Sequence, residues 1–272
     1  MTEKQLEEAA SEYFSRAKRA FKAARKKISE AALNKAVELD LSEMALSEIP
    51  QELFSLNSLE KLILDDNRIT FIPEEISNLT NLRHLSLKGN GLVLLPENLG
   101  SLKNLEKLYL GYNTISELPD SICNLQNLKM LNAADNLLSN LPKNICNLKS
   151  LKKLSLHDNL IESLPDSIGS LENLKELYLD SNSLSKVPSA LANLNSLEEF
   201  VLSGNDLSDI PEEFSNFKNL KELVLDENNL ETLPKSLANC QSLRLVSILG
   251  NPIKSLPSEL LNRAGLAVDK DC

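Results

Sequence analysis

Residues 105–119 read LEKLYLGYNTISELP, and the same frame stands at 59–73 (LEKLILDDNRITFIP), 82–96 (LRHLSLKGNGLVLLP) and 151–165 (LKKLSLHDNLIESLP). Its asparagine recurs at 67, 90, 113, 136, 159, 182, 205, 228 and 251, a step of 23 residues without an insertion. Prolines keep the same step at 73, 96, 119, 142, 165, 188, 211, 234 and 257. Pro50 holds the register once more upstream, where Met44 replaces the asparagine. Nine repeats of this length with LxxLxLxxN spacing specify a solenoid of stacked coils.

Physical chemistry assigns each position a task. The two leucines of LxL point to one face of a short strand, because side chains alternate with period two. Proline fixes φ where the chain leaves the strand, and its missing N–H is harmless outside the ladder. Later apolar positions such as Ile76 and Leu79 fill the core from the convex side. The asparagine side chain is expected to satisfy backbone groups of its turn beside the next coil. No coil can bury its own apolar face, so stacking is obligatory.

The spacing LPxxIxNLxNLxxLxLxxN over residues 38 to about 257 resembles the intracellular leucine-rich repeats of the Ras-suppressor, Shoc and Scribble/Erbin group. The resemblance implies an α/β leucine-rich-repeat solenoid, with a curved parallel sheet on the concave face and short helical, 3-10 or irregular segments on the convex side. It also implies that the concave face binds protein partners, in several members small GTPases or phosphatase subunits. Unlike many of that group, this chain is expected to carry no PDZ, kinase, GTPase or ligase domain.

Composition narrows the setting. The chain has 272 residues, 42% hydrophobic, and no apolar stretch long enough to span a membrane. The N-terminal MTEKQLEEAASEY is charged where a signal peptide needs its apolar segment. Four cysteines at irregular spacing then point to a reducing, cytoplasmic compartment, in which Asn78 of NLT is no glycosylation acceptor. The net charge of −10 argues against nucleic acid. Residues 1–37 hold nine Lys/Arg against five Asp/Glu and the remaining 235 hold 20 against 34, a basic arm on an acidic body.

The binding residues are read from columns on the outward strand face. Six residues before the asparagines the column runs Lys61, His84, Lys107, Met130, Lys153, Glu176, Glu199, Glu222, Leu245, basic at one end and acidic at the other. Tyr109 and Tyr178 stand four before, Asp180 and His157 two before, and Tyr112 one before. Tyrosines mid-solenoid on a face that is not core mark an interface. Lys61, His84, Lys107, Tyr109, Tyr112, Lys153, His157, Glu176, Tyr178, Asp180, Glu199 and Glu222 are therefore the expected protein-binding set.

No catalytic, metal-ligating or cofactor-binding pattern is read. Ser155, His157 and Asp180 form a hydrolase-like inventory, but Ser155 and His157 are about 6.6 Å apart along a strand, too far for a nucleophile–base bond. His84 and His157 lie three coils apart and cannot share a metal. Cys123 and Cys146 occupy a column of small residues, Cys240 a leucine column, and all are expected to be reduced.

The ends complete the organisation. Residues 1–36 read as an amphipathic helical cap or arm opened by a capping box at Thr2–Gln5, with Phe14, Phe21 and Ile28 expected on the first coil. Residues 37–257 form about ten coils, and 258–272 a C-terminal cap in which Leu260, Leu261, Leu266 and Val268 cover the last coil. The expected function is a monomeric, non-enzymatic adaptor or scaffold that binds a protein, with a small GTPase one candidate. The alternative is a bacterial-type effector or membrane-targeted adaptor whose residues 13–28 meet an anionic membrane through Arg16, Lys18, Arg19 and Lys22, the less favoured reading of that helix.

Overall fold

The computed structural model describes residues 2–271, with side chains throughout except at positions 3, 4, 6–11, 13 and 14. Strands of three residues recur at the sequence period. They are β1 (Glu38–Asp40), β2 (Lys61–Ile63), β3 (His84–Ser86), β4 (Lys107–Tyr109), β5 (Met130–Asn132), β6 (Lys153–Ser155), β7 (Glu176–Tyr178), β8 (Glu199–Val201), β9 (Glu222–Val224) and β10 (Leu245–Ser247). With β11 (Ala267–Asp269) they form one parallel sheet in chain order. Pairing joins equivalent repeat positions, Lys107 to Met130 and Tyr109 to Asn132 for instance. A column of the sequence is thus a row across the sheet.

The convex side is a series of 3-10 turns that start behind the prolines, as Glu97–Ser101 follows Pro96 and Asp120–Asn124 follows Pro119. The small-residue column lies here. A Cβ on Gly100 would stand 2.2 Å from the Ser121 carbonyl oxygen of the next coil, so adjacent coils approach at backbone distance. One core runs from Ala24 to Leu260 between sheet and turns, and both leucines of each LxL are buried, Leu108 and Leu110 fully so.

The asparagines hold neighbouring coils together. Asn136 donates through Nδ2 to the carbonyls of Ala133 and Ala134 in its own turn and of Leu110 in the preceding coil, at 2.9–3.2 Å. Its Oδ1 accepts from the Ile115 amide at 2.9 Å. The coil it reaches is thus the previous one, not the next, because its turn closes beside the backbone already laid down. Asn67 repeats this arrangement against Leu41 and Leu46. The first coil is therefore tied in although Met44 stands in its asparagine position.

Helix α1 (Glu3–Leu33) begins with a capping box, in which the Thr2 amide donates to Gln5 Oε1 and the Gln5 amide to Thr2 Oγ1. At 1.5 Å per residue it is about 46 Å long. Its C-terminal part meets the solenoid: Ala24, Ile28 and Ala31 are buried, and Ala20 packs partly against the core. Arg25 pairs with Glu52, and Lys27 Nζ donates to the Asp40 carbonyl at 3.0 Å. Phe21 is only half-buried, and the Phe14 side chain lies outside the described residues. At the other end, helix α2 (Ser258–Leu261) buries Leu260, while Leu266 and Val268 pack partly against the core. Leu261, expected to cover the last coil, is instead exposed, because a one-turn helix turns only one of two successive leucines inward. Among the described residues no helix is long and apolar enough to cross a membrane.

Candidate functional site

None of the twelve expected binding residues is buried. Lys107, Tyr112 and Glu222 are exposed and the other nine partly so. The sheet brings four of them to one hollow of about 500 Å³, where His84, Tyr109, Tyr112 and His157 share the walls with Lys88 and Asp135. The His84 and Tyr109 rings stack at 5.1 Å with 30° between planes, since β3 and β4 are adjacent. Burial, with Lys107 and Lys61 alongside, lowers the His84 pKa, so a neutral imidazole faces the hollow.

Tyr112 is held differently. Its φ is +56°, the left-handed region that bulky side chains avoid. The residues before the other eight asparagines are Asp, Ser, Glu or Gly, which tolerate or offset that backbone better. A tyrosine here is 56% exposed and has the Lys88 ammonium 5.0 Å from its ring centroid. The fold gains no buried contact from this side chain, and its backbone conformation is the one shared by all nine positions before the asparagines. Just past the asparagines of the next two coils, Leu137 and Leu160 are also about half exposed.

Tyr178 lies outside this hollow and is tied into a charged cluster. Lys153 Nζ stands 4.5 Å from its ring centroid and 2.6 Å from Glu176 Oε2, to which the Tyr178 hydroxyl also donates at 3.0 Å. Burial first, then Glu199 and Glu176, raise the hydroxyl pKa well above the usual phenol range. The basic and acidic halves of the column therefore meet as a closed ion pair at the β6–β7 step. Beyond it, Glu176, Glu199 and Glu222 stand side by side in register, an arrangement that costs stability because like charges face each other across strands. Lys61 is paired with Glu38 at 3.2 Å. Among the described residues Lys107 and Glu222 have no ion-pair partner.

A second row of charges escaped the column reading. Seven residues before the asparagines, Glu60, Arg83, Glu106 and Lys129 form consecutive ion pairs at 3.5, 3.0 and 2.5 Å. Lys152 interrupts the alternation, and beyond it Lys175, Glu198 and Lys221 pair at 2.7 and 2.5 Å. Hydrogen bonds from both lysines hold the Glu198 carboxyl down at about 2. The signs that alternate from Glu60 to Lys129 at 23-residue intervals were the available signal. With Lys152 and Arg244 the column holds six cations against three carboxylates, so this border of the sheet keeps a net positive charge.

The hydrolase-like inventory is not assembled as a triad. Ser155 is 3% exposed, and His157 Nδ1 meets Asp158 Oδ2 at 2.9 Å. Burial, with Asp158 and Asp135 adding negative charge, raises the Asp180 pKa, while His157 opposes that rise. Asp135, His157 and Asp158 bring potential donor atoms within 4.8 Å of one another. Of the cysteines, Cys123, Cys146 and Cys240 are free. Burial pushes the Cys123 thiol up to about 11.

Known proteins can now be set beside this geometry. The profile for a leucine-rich repeat region matches residues 73–140 and 128–264, and a leucine-rich repeat profile matches 35–92. No curated protein sequence gives a significant match. A leucine-rich repeat protein of Leptospira interrogans is 31% identical, with a TM-score of 0.69 over 89% of this chain and 81% of that one. The ectodomain of the Arabidopsis thaliana receptor kinase GASSHO1/SCHENGEN3, solved with CASPARIAN STRIP INTEGRITY FACTOR 2, is 31% identical with a TM-score of 0.76 over 86% of this chain. The plant peptide hormone receptor RGFR1, solved with RGF2, is 26% identical with a TM-score of 0.70, again over 86%. The chain spans 29% and 43% of these two receptors.

Proposed function

The chain belongs to the leucine-rich repeat family, and on that premise we propose that it is a non-enzymatic scaffold or adaptor whose concave face binds an elongated protein segment. The observation that carries this reading is the hollow of Tyr109, Tyr112 and His84, in which a strained, half-exposed tyrosine serves no evident purpose in the fold. The anchor would be an apolar or aromatic side chain of the partner, seated against the tyrosines. Direction would come from charge, with an acidic stretch of the partner beside Lys107 and a basic one over Glu199 and Glu222. The two plant receptors, each solved with a named ligand, support a binding role for a fold of this kind. By resemblance to the intracellular group, a small GTPase or similar signalling protein in the cytoplasm is the first partner to test, with the adaptor acting as a monomer.

The test is binding kinetics against a purified partner. Tyr109→Ala should mainly speed dissociation, with a loss of about 1–3 kcal/mol if it is a hot spot. Glu199→Lys should mainly slow association and change its salt dependence. Wild-type kinetics for both variants, with binding abolished by substitutions on the convex turns, would overturn the assignment.

A further inference from the structure

We propose that Asp135, His157 and Asp158 form a binding site for one divalent transition-metal ion, with zinc the best fit, at the edge of the concave hollow. Three donors from two adjacent coils converge there, within 4.8 Å of one another. The carboxylate oxygen Asp135 Oδ2 is sealed from solvent and has no hydrogen-bond partner. A buried carboxylate oxygen in that condition is costly unless a proton or a cation meets it.

Other aspartates of the same face show how the fold satisfies such a group when it is structural. Two residues before its asparagine, Asp65 Oδ1 accepts from the Ser86 hydroxyl and the Lys88 amide of the next coil, at 2.5 and 3.0 Å. Asp226 Oδ1 accepts likewise from Ser247 and Leu249, at 2.6 and 2.8 Å. Asp180 holds the same position, but Val201 stands where that serine would be. Two lysines of this face are engaged with other carboxylates, Lys153 with Glu176 and Lys61 with Glu38. Asp180 thus lacks the hydroxyl that balances Asp65 and Asp226, and it stands with Asp135 and Asp158 beside one imidazole in the middle of the sheet.

The donor set selects the ion. One imidazole nitrogen with carboxylate oxygens suits zinc and its neighbours, whereas calcium and magnesium prefer all-oxygen shells. Tetrahedral coordination at about 2.0–2.2 Å needs donor atoms roughly 3.4 Å apart, so side-chain rotations of about 1 Å would close the set. Asp180, which already interacts with His157, Asp158 and Asp135, would act as an outer carboxylate that orients them. Three protein donors leave an open position, and the hollow wall formed by Asp135 and His157 turns it toward bound solvent or a ligand group.

The test uses the untagged full chain, stripped of metal and titrated first with cobalt(II) chloride and then with zinc chloride. Expected is one equivalent of cobalt with visible d–d absorption, no thiolate charge-transfer band, and displacement by zinc. Asp135→Asn and His157→Gln should each weaken uptake by about tenfold or more, while His84→Gln leaves it unchanged. Asparagine tolerates the left-handed φ of +52° at position 135, and circular dichroism checks that each variant folds. Should Asp135→Asn fail to fold, Asp158→Asn takes its place. Absence of uptake, a thiolate band that assigns the metal to cysteines, or equal uptake by wild type and both variants would overturn the proposal.

Discussion

Replacing Asn136 by alanine should cost about 3–5 kcal/mol. The side chain is 6% exposed. Its two amide hydrogens serve the carbonyls of Leu110, Ala133 and Ala134, and its Oδ1 receives the Ile115 amide. With one hydrogen shared between two carbonyls, this amounts to three hydrogen bonds, which at about 0.5–1.5 kcal/mol each give roughly 1.5–4.5 kcal/mol. Backbone groups left without partners in a buried turn add to that, and water entering the gap returns part of it. Asn136→Asp separates the contributions: it keeps an acceptor for Ile115 but turns carboxylate oxygen toward the carbonyls, so it should be at least as damaging at neutral pH. Urea unfolding followed by circular dichroism reads both variants through the midpoint. A fall in the slope would mean that the solenoid has divided at the severed coil rather than weakened as a whole. A loss under about 1 kcal/mol for alanine, or wild-type stability for aspartate, would refute the claim that these side chains join the coils.

Three further outcomes follow from the same contacts. Removal of residues 1–34 should uncover the apolar surface packed on Ala24, Ile28 and Ala31 and lower Tm by about 5–10 °C, at roughly 2–4 °C per kcal/mol, whereas removal of residues 1–19 should leave Tm nearly unchanged; an unaltered melt for the longer deletion would end the capping role. Because the Glu198 carboxyl sits at about 2 when folded and near its ordinary value when unfolded, its contribution to stability is present above about pH 4.5 and is lost as pH falls toward 2. Glu198→Gln should therefore flatten the acid limb of a Tm–pH profile, and added salt should have the same effect. Alkylation without reductant should label Cys146 before the buried Cys123 and Cys240 and give an unbridged mass for all three; a Cys123–Cys146 disulfide peptide would contradict this.

The fold was legible because the 23-residue period is itself a statement about packing: Leu108 and Leu110 can be inside only if every equivalent pair is. Column reading was as reliable for orientation, and put Tyr109, Tyr112 and His157 on the open face. It was weaker for pairing. Lys153 and Glu176 appeared as members of opposite charge halves, yet adjacent strands make them one ion pair, and Tyr178 goes with them rather than with Tyr109. The Arg83–Glu106–Lys129 row lay in a column not tabulated, although its alternating signs were available. The strain at Tyr112 was readable only from its column, where glycine and aspartate fill six of the eight equivalent positions, and not from the tyrosine itself. Likewise β11 has no LxxLxLxxN frame, and β10, otherwise a free edge, supplies the partner that makes it a strand.

The most direct test of the concave face as the binding surface is site-specific photo-crosslinking. A benzophenone amino acid is placed at 107, 109 or 178 on the strands and, separately, at 98 or 143 on the convex turns, where Asn98 and Lys143 are exposed. Each version is irradiated with the same purified partner. Adducts should form from the three strand positions, strongest at 109, and not from 98 or 143. Adducts confined to 98 and 143 would contradict the central claim and move the binding surface to the other side of the solenoid.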